Sequence, residues 1–183
     1  PKHHIHEHYL GASADAGDPH ALVRRLCEFI KRQTNSSEEI SSDPQNLMDC
    51  LPLWLSTASS WARKRRTRFI FVWDSLNSLI DQQDLRWWPA FLPQCITMVV
   101  SSLPGPVHDA LMGKSEALPG QDKPPKWKII KVRPLTEAQS SMLLKTYLAR
   151  FNKKLSLPMV RQVQAHPLST IPLFIRTLAE ELR

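Results

Sequence analysis

The chain has 183 residues, of which 42% are hydrophobic and 22% are charged. This composition predicts a folded chain, excludes intrinsic disorder, and fits one domain or one domain plus a piece of another. No apolar run approaches the roughly 18 residues that a membrane helix needs, so we expect a soluble protein without a membrane span. The three cysteines lack C-x-x-C spacing, and reduced thiols in the cytoplasm are the simplest interpretation.

The net charge of +7 raises the hypothesis of nucleic-acid binding. The densest basic cluster is RKRRTR at residues 63–68. Such a cluster can bind phosphate or direct nuclear import, or it can be the solvated end of a helix, where cations interact favourably with the dipole. No aromatic residues interleave with the cluster, as a platform for stacked bases would require. We therefore prefer the helix-end interpretation and expect no nucleic-acid partner.

Strand-like and helical patterns alternate along the first two thirds of the chain, which is typical of a parallel α/β sheet. The predicted elements, in chain order, are a strand over residues 5–11, a helix from Pro19, a helix over residues 44–62 capped by Asp43, strands over residues 69–73 and 95–102, a short helix near residues 107–112 and a strand over residues 127–132. The strand at residues 69–73 is apolar throughout, which predicts burial on both faces and a central position in the sheet.

The pattern becomes purely helical after Pro134. The sequence TEAQ at residues 136–139 is a capping box, in which Thr136 caps a helix and Gln139 reaches back to it. Helical spacing of apolar residues recurs over residues 156–165 and 171–182. We therefore predict a sheet-bearing domain over residues 1–134 and a helical extension over residues 135–183.

Polar side chains follow the two most apolar predicted strands. Asp74 comes directly after one of them, and Ser101 and Ser102 end the other. Ligands of open parallel sheets bind at the carboxyl ends of strands, where a carboxylate can bind magnesium and a hydroxyl can bind a phosphate or a water. Alternatively, Asp74 caps a helix formed by DSLNSL, and the serines satisfy turn backbone.

Histidines alternate at the start of the chain, in HHIHEHY at residues 3–9. On a strand, His4, His6 and His8 would share one face, and three imidazoles can bind zinc. A strand with incidental histidines, or residual tag sequence, explains the cluster as well. No second group of metal ligands follows in the sequence, so we do not expect a zinc site.

Several sequence motifs of catalysis are missing from the 183 residues. The five glycines form no phosphate-cradling loop, and there is no G-x-x-x-x-G-K-[ST], G-x-S-x-G or H-E-x-x-H. The chain by itself is therefore expected to lack a complete catalytic site.

Five stretches carry a family resemblance, at residues 8–30, 68–81, 92–105, 135–156 and 169–183. In this order they resemble the second strand and helix, the Walker B strand, the sensor strand and the helical segment of the NACHT branch of the STAND class of P-loop NTPases, particularly the nephrocystin-3 and telomerase-associated protein type. The resemblance implies a partial P-loop NTPase with a three-layer parallel sheet followed by a helical extension. It also implies that the chain begins just after the Walker A loop.

The resemblance assigns roles to particular residues. The cofactor would be ATP or GTP with magnesium, bound only together with an upstream Walker A segment. Asp74 would hold magnesium through a water, and Ser101 would lie near the γ-phosphate. Pro172 would pack against the adenine, although Ile171 replaces the asparagine of the family's N-P-L motif.

Asn77 stands where many relatives place an acid near the attacking water. An amide can orient a water but cannot accept its proton. The resemblance therefore implies a regulatory switch with slow or no hydrolysis, in a multidomain signalling or scaffold protein whose flanking repeats recruit protein partners. Self-association and a place in the cilium are compatible with it. The alternative is a scaffold that keeps the fold, binds no nucleotide and contacts partners through a tryptophan-rich surface formed by Trp54, Trp61, Trp87 and Trp88.

Overall fold

The computed structural model describes residues 3–13, 15–81, 85–113 and 127–183. The chain divides into two compact units, with the boundary between Trp127 and Lys128. The first unit contains a three-stranded sheet with helices, and the elements described in the second unit are all helices.

A parallel sheet forms the centre of the first unit. Its strands are β1 (His4–Tyr9), β2 (Phe69–Asp74) and β3 (Ile96–Val100), in the spatial order β1-β2-β3. Both pairings are parallel, with Tyr9 opposite Asp74 and Trp73 opposite Val100. The sheet confirms the predicted α/β class and the central position of the strand that ends at Asp74.

The helices of the first unit are α1 (Pro19–Thr34), α2 (Pro44–Asp49), α3 (Leu51–Arg65) and α4 (Pro106–Gly113). The predicted start of α1 is correct, because the Asp18 carboxylate accepts hydrogen bonds from the N–H groups of His20 and Ala21. The prediction of one helix over residues 44–62 is wrong. A proline at residue 52 has no N–H to continue the hydrogen-bond ladder, and the helix breaks at Cys50, which ends α2 and begins α3.

The core of the first unit is centred on β2. Phe69, Phe71 and Trp73 are fully buried on one face of the strand. Rings from α1 and α3 cover this face, since Phe29 and Trp61 both lie against Phe69. On the opposite face of β2 the side chains are only half buried in the described part of the chain. The predicted burial is therefore complete on one face and partial on the other.

The tryptophans proposed as a contact surface do not form one. Trp54 and Trp88 are buried, and Trp61 and Trp87 are half buried. Trp88 packs edge-on against Trp73, with ring centroids 5.4 Å apart. These rings therefore contribute to the core, and the scaffold alternative loses the surface on which it was based.

The second unit contains helices α5 (Glu137–Ala149), α6 (Leu157–Gln164) and α7 (Pro172–Glu181). The capping box at the start of α5 is confirmed, with Thr136 and Gln139 bonded to each other's backbone N–H groups. A small core of Leu144, Leu148, Ile175 and Ala179 joins α5 to α7.

The predicted strand at residues 127–132 is wrong. This segment has no regular structure, and Ile129, Ile130 and Val132 are exposed by 66%, 76% and 91%. A strand is stabilised by hydrogen bonds to a neighbour, and within the described ranges this segment pairs with none. An apolar, β-branched sequence is therefore not enough to form a strand here.

All three cysteines are free thiols. Cys27 is fully buried in the core, and burial raises its pKa to about 12. A thiol with such a pKa is not a nucleophile at neutral pH. In the described ranges, the helices fall short of the length and apolar content that crossing a bilayer requires.

His6 is a half-buried titratable group that packs against the aromatic core. Its ring centroid lies 5.0 Å from that of Phe29, and its buried Nδ1 atom has no hydrogen-bond partner among the residues that the structure describes. Burial, followed by the positive charges of His8, Arg32 and Arg25, lowers the pKa of His6 from 6.5 to about 4. The folded unit therefore holds this imidazole in its neutral form.

We predict that replacement of His6 by phenylalanine removes part of the acid sensitivity of the first unit. The unfolded chain binds a proton on His6 as the pH falls below 6.5, whereas the folded chain does so only near pH 4. The free energy of unfolding of the natural chain should therefore fall between these pH values, by about 1–2 kcal/mol more than that of His6→Phe.

Urea unfolding followed by tryptophan fluorescence measures this difference, because all six tryptophans lie between residues 54 and 127. Measurements at pH 8, where both side chains are neutral, isolate the change in packing. If the free energy of unfolding fell equally steeply with pH in the two chains between pH 6.5 and 4, the prediction would be contradicted.

Candidate functional site

The carboxyl edge of the sheet brings together the predicted residues Asp74, Asn77 and Ser101. Asp74 is the last residue of the central strand, and Ser101 directly follows β3. The Ser101 hydroxyl donates a hydrogen bond to Oδ1 of Asp74. The carboxyl ends of these two strands therefore lie together.

Ser101 is bonded to the end of β2 through its backbone as well as its side chain. Its N–H donates to the carbonyl of Trp73 (3.0 Å), and its carbonyl accepts from the N–H of Leu76 (2.9 Å). Its Oγ also accepts from the N–H of Ser75 at 2.8 Å. A shift in the position of Ser101 would therefore also move the loop that follows Asp74, because hydrogen bonds join the two.

The alternative that Asp74 caps a helix is wrong. DSLNSL forms only a short 3-10 turn at Leu76–Ser78, and Ser75 precedes it in a left-handed conformation with φ of 61°. Non-glycine residues adopt this conformation at a cost, and they are enriched at functional sites. Here it directs the Ser75 N–H to Ser101 and keeps the Asp74 carboxylate at the edge of the sheet.

Asn77 and Ser102 make contacts in the loops of this edge. The Oδ1 atom of Asn77 accepts a hydrogen bond from the N–H of Leu103 at 3.0 Å, which joins the loop after β2 to the loop after β3. The Ser102 hydroxyl donates to the carbonyl of Leu103 at 3.0 Å, as expected of a serine that satisfies a turn. The role of Asn77 in orienting water stays a prediction.

A third loop, after β1, packs against the same edge, and no sequence motif marks it. The N–H of Leu10 donates to the carbonyl of Asp74 (3.0 Å), and the N–H of Ile80 donates to the carbonyl of Gly17 (2.8 Å). A Cβ atom at Gly17 would lie only 2.6 Å from the carbonyl oxygen of Ser78. Gly17 therefore permits a close backbone approach that no other residue type allows. Its place just before the Asp18 cap was the only signal of this role in the sequence.

The histidines of β1 have structural partners. His8 Nε2 donates to the carbonyl of Ala16 (2.9 Å), and His4 Nδ1 bonds to Oε1 of Gln33 (2.8 Å). In the ranges that the structure describes, no three His, Cys, Asp or Glu side chains are arranged to bind a metal ion. A single carboxylate with a neighbouring hydroxyl suits Mg²⁺, which often takes one or two carboxylates and completes its shell with phosphates and waters.

The basic cluster at residues 63–68 begins in the last turn of α3. Arg63, Lys64 and Arg65 form this turn, and Arg66 caps it. The cluster therefore lies at the end of a helix, as the preferred interpretation expects.

Pro172 lies in the second unit, where it is the first residue of α7 after the capping residue Ile171. Proline suits this position, because the first N–H groups of a helix have no partner within the helix. Contact with an adenine stays a prediction.

The fold and the site together define an α/β protein in which an acid and a serine meet at the carboxyl edge of a parallel sheet. Over 179 residues, or 96% of its length, the chain is 25% identical to the human NACHT and WD repeat domain-containing protein 2. Over 154 residues, or 84% of its length, it is 26% identical to a TPR repeat-containing protein of Dictyostelium discoideum. The chain spans 10% and 8% of these two relatives.

No known protein-family profile and no solved structure matches the chain. The similarity to a NACHT-named protein indicates a distant relationship to NACHT proteins. Both relatives are named for repeats, which fits a multidomain setting. The narrower likeness to the nephrocystin-3 type stays a prediction.

We predict that Gly17→Ala destabilises the first unit by about 1–3 kcal/mol, because its Cβ atom would force the backbone of Gly17 and Ser78 apart. Gly113→Ala is the matched control, since in the described ranges a Cβ at that position would meet no atom within 4 Å outside its own helix and its chain neighbours. Gly113→Ala should leave the free energy of unfolding unchanged or raise it slightly. Urea unfolding followed by tryptophan fluorescence measures both variants, and equal effects would show that the approach at Gly17 is not tight.

Proposed function

We propose that the chain is part of a nucleotide-binding regulatory switch in a multidomain protein, with ATP or GTP and Mg²⁺ as the ligand. The contact between Ser101 and Asp74, at the end of the central strand, carries this proposal. The similarity to a protein named for a NACHT domain supports it.

Asp74 and Ser101 have complementary roles in the proposal. Asp74 holds Mg²⁺ through a water, and the bound ion neutralises charge on the phosphates. The Ser101 hydroxyl has one hydrogen, so it can donate to Asp74 or to a phosphate oxygen, but not to both. Because the backbone of Ser101 also binds the loop after Asp74, Ser101 can transmit the change of partner to that loop.

The proposal places the phosphate-binding loop in a segment that precedes Pro1. The chain's five glycines form no such loop. In the described part of the sheet, β3 pairs only with β2, so one of its sides is available for a further strand. Pro172 is proposed to contact the adenine.

Protein partners are proposed to bind through repeats that flank the switch, which the repeat-containing relatives support. Nucleotide-dependent self-association is compatible with the same arrangement. A nucleotide-free scaffold is the alternative, and the burial of its tryptophans weakens it.

We predict that Asp74→Ala lowers Mg²⁺-dependent nucleotide affinity at least about tenfold, because the ion loses the carboxylate that is proposed to hold it. The test uses a longer protein that contains G-x-x-x-x-G-K-[ST] before Pro1, titrated with ATP and GTP with and without Mg²⁺. Asp109→Ala, which removes an exposed carboxylate from α4, should keep the affinity of the natural protein.

Unchanged affinity in Asp74→Ala would remove this residue from the site. If the longer protein bound neither nucleotide, the scaffold alternative would replace the switch.

We also predict that the longer protein hydrolyses nucleotide at less than about 1 per second, because Asn77 cannot accept a proton. Asn77→Asp keeps an oxygen for the Leu103 N–H and adds a base, so hydrolysis should rise about tenfold or more. Asn46→Asp, on the exposed side of α2, is the control. Single-turnover phosphate release measures all three proteins. Fast turnover by the natural protein would contradict a switch of this type.

A further inference from the structure

A pocket, which we call the polar pocket, lies on the first unit, near the ends of α1 and α3. It has a volume of about 470 Å³ and is lined by residues 34–37 and by one side of α3, residues 56, 57, 60, 61, 64 and 65. Six of its ten lining residues are serine or threonine. It takes no part in the site at the sheet edge.

The charged residues that line the polar pocket are basic. Lys64 and Arg65 line it, and no acidic residue does. The Arg65 guanidinium lies 4.2 Å above the ring of Trp61, an arrangement that orients it and leaves its in-plane N–H groups available to an anion. In the part of the chain that the structure describes, neither cation forms an ion pair. Hydroxyl groups and two neighbouring cations are the groups that bind a phosphate monoester.

Ser37 is the lining residue that can carry such a phosphate. It is exposed and lies in the segment between Thr34 and Pro44, which contains neither helix nor strand. Neighbouring Ser36 is already engaged, since its Oγ accepts a hydrogen bond from the N–H of Glu38. Ser37 makes no side-chain hydrogen bond to the described residues. An enzyme can therefore reach its hydroxyl without unfolding a helix or strand.

We propose that Ser37 is a phosphorylation site and that the polar pocket holds its phosphate. A protein kinase would transfer the γ-phosphoryl group of ATP to Ser37: the bond from Oγ to phosphorus forms, the bond from the γ-phosphorus to ADP breaks, and the hydroxyl proton passes to solvent. The phosphate then accepts charge-assisted hydrogen bonds from Lys64 and Arg65.

The consequence is a link between α1 and α3. The far end of the segment is already held, because Arg24 of α1 donates to the carbonyl of Ser41 at 3.0 Å. A hydrogen bond from the N–H of Ser36 to the carbonyl of Lys31 holds the start of this segment. A phosphate on Ser37 would attach this segment to α3 and so fix the two helices that cover β2.

The test incorporates phosphoserine at residue 37 of the whole 183-residue chain by genetic encoding. Thermal unfolding followed by tryptophan fluorescence should show a midpoint about 2–4 °C higher than that of the unmodified chain, with a smaller gain at 1 M salt. The second pKa of the phosphate, measured by ³¹P NMR, should fall below its usual value near 6.

Two charge variants decide whether the polar pocket is responsible. Lys64→Gln/Arg65→Gln should abolish the rise in the midpoint of thermal unfolding that phosphorylation causes. Arg63→Gln/Arg68→Gln removes the same charge from residues that do not line the pocket and should keep the gain. An unchanged or lower midpoint, or an equal loss of the gain in both variants, would overturn the proposal.

Mass spectrometry of the chain expressed in eukaryotic cells with phosphatase inhibitors tests the modification itself. Phosphate on Ser37 supports the proposal. Phosphate only at other residues, or none, overturns the assignment of Ser37.

Discussion

The packing of β2 beneath α1 and α3 is the contact on which the rest of the first unit depends. Phe69, Phe71 and Trp73 are fully buried, so the central strand cannot shift in register without exposing three large rings. The register fixes where the strand ends and therefore where the Asp74 carboxylate emerges. A proposed ligand site depends here on an apolar core, because the core holds the acid in place.

At the carboxyl edge, polar contacts take over from apolar packing. Ser101 bonds to the end of β2 through its N–H, its carbonyl and its hydroxyl, and Asn77 joins the two following loops. The loop after β1 adds a close backbone approach at Gly17. Three loops are thus coupled around one carboxylate, which is a suitable arrangement for a residue proposed to report on a bound phosphate.

Much of the fold could be predicted because its signals are local. An unbroken apolar run indicated β2, Pro19 indicated the start of α1, and Thr136 with Gln139 indicated the start of α5. The break between α2 and α3 follows from the local Pro52, whereas two other interpretations failed where a distant partner decides. Residues 127–132 have the composition of a strand but no paired neighbour in the described ranges, and the turn after Asp74 follows its bonds to Ser101 instead of its helical spacing.

Local sequence alone determined that Asp74 follows a buried strand and that a serine ends the next one, because strand periodicity and burial are written in neighbouring residues. Only the tertiary structure decided that Ser101 donates to Asp74, that Gly17 approaches Ser78, and that the polar pocket joins residues 34–37 to α3. These contacts link residues up to 61 positions apart, as for Gly17 and Ser78. Strand pairing and helix packing bring such residues together, and no pattern within a single element encodes their distance.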